Sequence, residues 1–205
     1  MENIAVTRQI FTGVILAGGQ ARRMGGQDKG LIELNGSPMI QYVLDAIVPQ
    51  VNTVIINANR NSDIYSHYGY EVISDEFEGF FGPLAGMASS MRKVTTPFML
   101  TAPCDSPFVP DDLAKRLYIQ MIKRDADISV AHDGKRIQPV FVLLKTSLLD
   151  SILDFLNKGE RKIDKWFEQH KLAVTDFSDI PDTFININNR DELSMIESKL
   201  KERGQ

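Results

Sequence analysis

The chain has 205 residues, of which 43% are hydrophobic and 24% charged, and its formal net charge is -4. This length and apolar content are sufficient for one substantial core, and we expect a single domain over residues 1–205. An acidic chain is not expected to be a general nucleic-acid binder, since such proteins carry basic surfaces.

The cellular location is indicated by what the sequence lacks. Cys104 is the one cysteine, so no intramolecular disulfide can form. Residues 1–11 have neither the long apolar segment nor the small-residue cleavage site of a signal peptide. No apolar run is long enough to span a membrane. We therefore expect a cytoplasmic protein with no membrane partner.

Apolar runs and helical spacings alternate along the first half of the chain. The first two runs are apolar without alternation, which is typical of parallel strands covered on both faces. Asp111 is the expected N-cap of the fourth helix. The predicted strands lie at 12–17, 53–57, 70–74 and 97–101, and the helices at 37–47, 62–68, 84–92 and from 111 onward.

The second half of the chain predicts mixed elements. A turn at Asp133-Gly134-Lys135 separates two strands that we expect to form a hairpin. The whole pattern predicts an α/β fold with three αβα layers, a Rossmann-like, mostly parallel sheet and a small antiparallel hairpin addition. The predicted elements here are strands at 127–131 and 137–144, helices at 147–156 and 161–170, strands at 172–175 and 184–188, and a last helix from about 191.

The loop after the first strand is rich in glycine and in cations. It reads AGGQARRMGGQDKG over residues 17–30 and carries Arg22, Arg23 and Lys29. Glycines let the backbone approach oxyanions, exposed N–H groups bind anions, and cations neutralise charge. These features favour a phosphate-binding loop over an ordinary charged surface loop. It is not a P-loop, because Gly30 follows Lys29 where Ser or Thr would stand.

Polar residues or glycines stand at the carboxyl ends of four predicted strands, where open α/β sheets bind ligands. Asp105, between Pro103 and Pro107, suits a Mg²⁺ ligand, and the alternative is a loop cap. Asp75 either caps a turn or accepts hydrogen bonds from a base or ribose. The four strand ends carry Leu16, Ala17, Gly18 and Gly19; Asn57 and Asn59; Asp75; and Asp105.

Cys104, next to Asp105, is interpreted as a small buried residue and not as a nucleophile. The sequence offers it no obvious histidine partner among His67, His132 and His170.

The opening loop resembles the signature loop of nucleotidyltransferases that activate sugar phosphates and cofactors. Its double-arginine form is similar to that of the molybdenum cofactor guanylyltransferases in particular. The resemblance covers almost the whole chain, although Asn189-Arg190 stand where the family commonly has Thr-Pro. The further matching stretches are LNGSP (34–38), NANR (57–60), GPLAG (82–86), PCDSP (103–107), QP (138–139), GER (159–161) and FININ (184–188).

The resemblance implies transfer of GMP from GTP to Mo-molybdopterin, with Mg²⁺ as cofactor and transient contacts with molybdenum-insertion and molybdoenzyme-maturation proteins. The alternatives are a cytidylyltransferase, a sugar-1-phosphate nucleotidyltransferase or a non-catalytic nucleotide-binding module. The implied catalytic residues are Arg23, Lys29 and Asp105, with the metal on Asp105. The implied nucleotide-binding residues are Leu16, Ala17, Gly18, Gly19, Lys29, Asn57, Asp75 and Asp105. Those on the molybdopterin side are Gln138, Asn186 and Asn188.

Overall fold

A computed structural model of the chain describes residues 7–19, 27–77, 82–187, 192–193 and 196–197. No helix in these ranges is long and apolar enough to cross a bilayer. The strands are β1 (Phe11–Leu16), β2 (Glu33–Leu34), β3 (Ser37–Pro38), β4 (Thr53–Asn57), β5 (Glu71–Ile73), β6 (Phe98–Pro103), β7 (Ile128–His132), β8 (Ile137–Lys145) and β9 (Leu172–Asp176). The α-helices are α1 (Met39–Ile47), α2 (Ser62–Ser66), α3 (Pro83–Met91), α4 (Leu113–Lys123), α5 (Leu149–Asn157) and α6 (Ile163–Phe167).

Seven strands form one sheet in the order β5-β4-β1-β6-β8-β7-β9. β1 pairs in parallel with β4 on one side and with β6 on the other. β8 runs antiparallel to both β6 and β7, so the predicted hairpin is part of this sheet. β2 and β3 form a separate small antiparallel sheet. The mostly parallel α/β fold predicted from the sequence is confirmed.

Helices cover both faces of the sheet because side chains alternate along each strand. Phe11 and Ile15 of β1 pack in one core cluster with residues of α1, α2 and α4. Val14, between them, packs in a second cluster with residues of α3, α5 and α6. The two clusters give the predicted three layers.

Two predicted helix starts are wrong. Ser37 and Pro38 pair with β2 as strand β3, and α1 begins at Met39. The cause is the turn at Asn35 and Gly36, whose φ angles of 50° and 82° are those of a two-residue hairpin turn. The fourth helix, α4, begins at Leu113 after Asp112, and no side chain caps its first turn, so Asp111 is not its N-cap.

The late strand predicted over 184–188 is also wrong in its described part. Phe184 ends a 3₁₀ turn, and residues 185–187 join no strand of the described sheets. Ile187 donates its backbone N–H to the Asp105 carbonyl at 3.2 Å. Its side chain is buried in a small cluster with Leu34 and Met39. The Ile187 backbone therefore bonds to the loop after β6, and its side chain packs on β2 and α1 instead of joining a sheet.

Gly13 provides a test of how closely β1 packs on α1. A Cβ at Gly13 would lie 2.8 Å from Cγ2 of Ile47 and 3.2 Å from a methyl of Val51. We expect Gly13→Ala to lower the free energy of unfolding by about 1–3 kcal/mol, because the added methyl overfills the core. Ile47→Ala frees that space, so the double variant should lose less than the sum of the two single losses. Urea unfolding measures all three variants, and simple additivity would contradict this contact.

Candidate active site

A cavity of about 370 Å³ lies at the carboxyl edge of the sheet, where β1 and β6 end side by side. The parallel pairing extends past the strand ends, since Cys104 donates its N–H to the Leu16 carbonyl at 3.1 Å and Ala17 donates to Asn57 at 2.8 Å. The volume is that of a small-molecule site. The lining residues are Leu16, Ala17, Gly18, Gly19, Asp28, Lys29, Asn57, Asp75, Gly82, Pro83, Gly86, Pro103, Cys104, Asp105 and Val140.

Lys29 and Asp105 form an ion pair in this cavity. The Lys29 Nζ lies 2.9 Å from Asp105 Oδ2, and the two side chains are 22% and 11% exposed. Lys29 is the first residue of a 3₁₀ turn, whereas Asp105 follows β6. A cation and a carboxylate from distant parts of the sequence thus meet on the β6 side of the cavity.

Asp28, the residue before Lys29, is buried and bonded on both carboxylate oxygens. Its Oδ1 accepts hydrogen bonds from the Tyr65 hydroxyl at 2.6 Å and from the Gly30 backbone at 3.3 Å. Its Oδ2 accepts from the Asn61 side chain at 3.0 Å. Asp28 therefore ties the start of the Lys29 turn to α2.

Asp75 is held by two asparagines on the β4–β5 side of the cavity. Its Oδ1 accepts from Asn57 Nδ2 at 2.9 Å, and its Oδ2 accepts from Asn59 Nδ2 at 2.8 Å. The Asp75 backbone N–H in turn donates to Asn59 Oδ1 at 2.8 Å. The orientation of this carboxylate is fixed from both sides.

Two glycines permit this arrangement. A Cβ at Gly86 of α3 would lie 2.4 Å from Asn57 Oδ1, and one at Gly18 would lie 2.9 Å from Asn59 Nδ2. Any larger residue at either position would displace an asparagine that holds Asp75. The GPLAG stretch was noted in the sequence, but this function of Gly86 was not predicted.

Of the residues assigned to the molybdopterin side, Gln138 and Asn186 do not line the cavity, and Asn188 lies outside the described residues. Gln138 donates its side-chain N–H to Asp133 Oδ2 at 2.7 Å. It stands two positions before Val140 on β8, in the stretch where the pairing with β7 shifts register. Asn186 accepts a hydrogen bond from the hydroxyl of Ser106, the neighbour of Asp105.

Cys104 is a buried thiol with no role as a nucleophile in this geometry. Burial, and then the charges of Asp105 and Asp28, raise the pKa of the Cys104 thiol well above its ordinary value. The thiol therefore stays protonated at neutral pH, and the thiolate is the nucleophilic form. His170 lies 2.9 Å from the Ser151 hydroxyl, away from Cys104.

Asp105 is the carboxylate best suited to a divalent cation. The described part of the chain contains no group of three or more His, Cys, Asp or Glu side chains that could hold a metal alone. The oxygens of Asp28 and Asp75 are already bonded to other residues. Mg²⁺ commonly takes one or two carboxylates and completes its shell with water and substrate phosphates. Asp105, whose Oδ2 pairs with the partly exposed Lys29, fits a cation that binds together with phosphate.

The structure thus brings eight of the predicted residues to one cavity. Arg23 and Asn188 lie outside the described residues, and Gln138 and Asn186 are near the cavity but do not line it. Tyr65 and Asn61 were missed, since no sequence signal connects α2 to the glycine-rich loop. The eight residues that line the cavity are Leu16, Ala17, Gly18, Gly19, Lys29, Asn57, Asp75 and Asp105.

The chain is similar to known proteins over most of its length. Residues 13–174 match the family described as "MobA-like NTP transferase domain". A molybdenum cofactor guanylyltransferase from Shewanella sediminis is 51% identical over 91% of this chain and 95% of its own. One from Shewanella piezotolerans is 51% identical over 91% of this chain and 92% of its own. The crystal structure of molybdopterin-guanine dinucleotide biosynthesis protein A from Archaeoglobus fulgidus shares the fold, with a TM-score of 0.78 at 24% identity over 93% of this chain and 99% of that one.

Alkaline pH tests the buried cluster behind the cavity. Burial raises the pKa of Cys104 above its ordinary 9.0, so the folded chain holds this proton more tightly than the unfolded chain. The resulting stability is fully present below about pH 9 and is lost as the pH rises above it, by up to about 1.4 kcal/mol per pH unit. We expect Cys104→Ala to flatten this decline.

Tyr65 is the second group to test, because burial raises its pKa above the ordinary 10.0. Tyr65→Phe should flatten the decline only above about pH 10. Urea unfolding from neutral pH to about pH 10.5 measures both slopes. If the free energy of unfolding of Cys104→Ala falls with pH as steeply as that of the wild type, burial does not raise the pKa of the thiol.

Proposed function

The chain belongs to the MobA-like NTP transferase family, and we propose that it transfers GMP from GTP to the terminal phosphate of Mo-molybdopterin, giving Mo-molybdopterin guanine dinucleotide and pyrophosphate. The 51% identity to relatives named for guanylyl transfer supports this choice of nucleotide. The single structural observation that carries the proposal is the Lys29–Asp105 pair at 2.9 Å, in a cavity that Asn57 and Asp75 also line.

The main task of such a site is to hold two anions together. The terminal phosphate of molybdopterin attacks the α-phosphorus of GTP in line. A new oxygen–phosphorus bond forms, the bond to the β-phosphate oxygen breaks, and pyrophosphate leaves with that electron pair. Lys29 supplies positive charge to the phosphates, and the backbone of Ala17, Gly18 and Gly19 approaches them closely. Positioning and fixed charge supply most of the rate in such transfers.

Asp105 is the residue we propose for Mg²⁺. When bound there, Mg²⁺ would neutralise charge on the phosphate oxygens. Asp105 itself is held through its backbone carbonyl, which accepts the Ile187 N–H at 3.2 Å. Arg23, which lies outside the described residues, is proposed from the sequence as a second cation for the phosphates.

No strong general base is required for this reaction. A phosphate monoester is partly or fully dianionic at neutral pH, since its second pKa is about 6. The protonated Cys104 thiol fits a mechanism without a covalent enzyme intermediate.

The other residues are proposed as contacts to the two substrates. Asn57 and Asp75 would hold the guanosine, on the β4–β5 side of the cavity. Gln138 and Asn186, together with the undescribed Asn188, would lie toward the molybdopterin. Gln138 and Asn186 are already fixed by hydrogen bonds to Asp133 and Ser106.

The cellular context is part of the same proposal. We propose a cytoplasmic enzyme in which residues 1–205 act as one domain. Molybdopterin with molybdenum would reach it from molybdenum-insertion proteins, and the product would pass to proteins that mature molybdoenzymes.

Nucleotide choice is the first test of the proposal. We expect GTP with Mg²⁺ to raise the melting temperature more than CTP, UTP or ATP, since a ligand stabilises by RT ln(1 + [L]/Kd). Pyrophosphate release with GTP, Mg²⁺ and molybdopterin should follow the same preference. A preference for CTP would indicate cytidylyl transfer instead of guanylyl transfer. Turnover with a sugar 1-phosphate would indicate that the acceptor is a sugar phosphate and not molybdopterin. Nucleotide binding without any turnover would indicate a non-catalytic nucleotide-binding module.

The cation on the phosphates is the second test. We expect Lys29→Met to lower kcat/KM by roughly 30- to 1,000-fold, or about 2–4 kcal/mol, because it removes the charge and keeps most of the apolar stem. Lys145→Met is the matched control. Lys145 forms a similar ion pair, 2.8 Å from Asp127, but at the opposite edge of the sheet. Equal kcat/KM values for the two variants would show that Lys29 has no role in the reaction.

A further inference from the structure

Asp28 is a buried carboxylate that the proposed mechanism does not use. Its side chain is 4% exposed, and it directly precedes Lys29. We propose that Asp28, held by Tyr65, is a positioning residue that fixes Lys29 for the phosphates. This inference rests on the proposed function, because it assigns a role within the same site.

The oxygens of Asp28 are occupied in a way that suits positioning and not metal binding. Oδ1 accepts two hydrogen bonds, from Tyr65 and Gly30, and Oδ2 accepts one from Asn61. The Arg60 Nε lies 3.7 Å from Oδ2 and balances the charge. A buried carboxylate with donors on both oxygens is held in one orientation, and removing one of these donors leaves a buried carboxylate oxygen without that hydrogen bond.

Asp28 also controls the backbone from which Lys29 projects. It is the N-cap of the 3₁₀ turn Lys29–Leu31, where its side chain accepts the Gly30 N–H and its carbonyl accepts the Leu31 N–H at 3.1 Å. The lysine side chain has a flexible four-carbon stem. Fixing its Cα limits the positions that the ammonium group can reach, and here that group meets Asp105 at 2.9 Å.

Gly30 packs between Tyr65 and Cys104, the residue that directly precedes Asp105 after β6. A Cβ at Gly30 would lie 2.6 Å from the Tyr65 hydroxyl and 3.0 Å from Cβ of Cys104. The turn is therefore packed between α2 and the end of β6. The fully buried Tyr65 thus holds Asp28 and the turn against the end of β6, which Asp105 follows.

A double-mutant cycle tests the proposal. Asp28→Asn keeps the size of the side chain but replaces one accepting oxygen by an amide N–H. We expect it to lower kcat/KM for GTP about tenfold or more, because one donor is left unsatisfied. In a Lys29→Met background the further loss should be less than about threefold, since the residue being positioned is already gone. In an Asp75→Asn background the full loss should return, because Asp75 lies on the nucleoside side.

A merely structural role gives a different result. If Asp28→Asn lowers kcat/KM by the same factor with and without Lys29, or if the folded variant keeps the wild-type kcat/KM, the proposal is overturned. Thermal unfolding identifies variants that fail to fold. If Asp28→Asn is one of them, Tyr65→Phe enters the same cycle, with an expected loss of about 3- to 10-fold.

Tyr68→Phe is the matched control for Tyr65→Phe. Its ring centre lies 6.5 Å from that of Tyr65, and its hydroxyl is not a donor to Asp28.

The same cycle is also measured on the Kd of inorganic triphosphate with Mg²⁺. This ligand has no nucleobase, and its binding needs no molybdopterin. A chain that releases no pyrophosphate with GTP and molybdopterin would refute the proposed function, while the triphosphate cycle would still decide the role of Asp28.

Discussion

The pairing of β1 between β4 and β6 is the constraint on which the candidate site depends. Because all three strands are parallel, their carboxyl ends stop at one edge, and Leu16 stands directly beside Asn57 and Pro103. Residues that are far apart in the sequence therefore become neighbours through backbone hydrogen bonds alone. A one-residue shift of β1 would turn its side chains to the opposite faces. It would also separate the glycine-rich loop from Asp105.

Within this arrangement, two hydrogen-bonded carboxylates, the buried Asp28 and the half-buried Asp75, hold the loops around the site. Asp28 takes three hydrogen bonds and Asp75 takes two, so each has a fixed orientation before any ligand binds. Both networks need close approach, which glycine provides at Gly30, Gly86 and Gly18. These glycines are required for space and not only for backbone freedom, since a Cβ at the three positions would make five contacts of 3.0 Å or less.

The sequence predicted what depends on local pattern. Apolar runs located the strands, and polar residues after them located Asn57, Asp75 and Asp105 at the site. It could not predict contacts between side chains on different elements, and so the bond from Tyr65 to Asp28 was missed. The failure at 184–188 has another origin. Alternating apolar residues look the same whether they pair in a sheet or, as Ile187 does, pack against other elements, here Leu34 of β2 and Met39 of α1.

Lys29 and Asp105 form one electrostatic unit in the cavity. A lone carboxylate beside the phosphate site would repel substrate, and a lone ammonium of low exposure would lose hydration without compensation. Their pairing avoids both problems in the free chain, and partial exposure keeps the pair weak enough to open. On the proposed function, the Lys29 ammonium would pair with phosphate oxygens, and Asp105 would hold the divalent cation. A triphosphate that carries its cation would satisfy both groups at once, whereas bare phosphate would leave Asp105 facing a like charge. The pair would therefore favour the metal-bound triphosphate over either component alone.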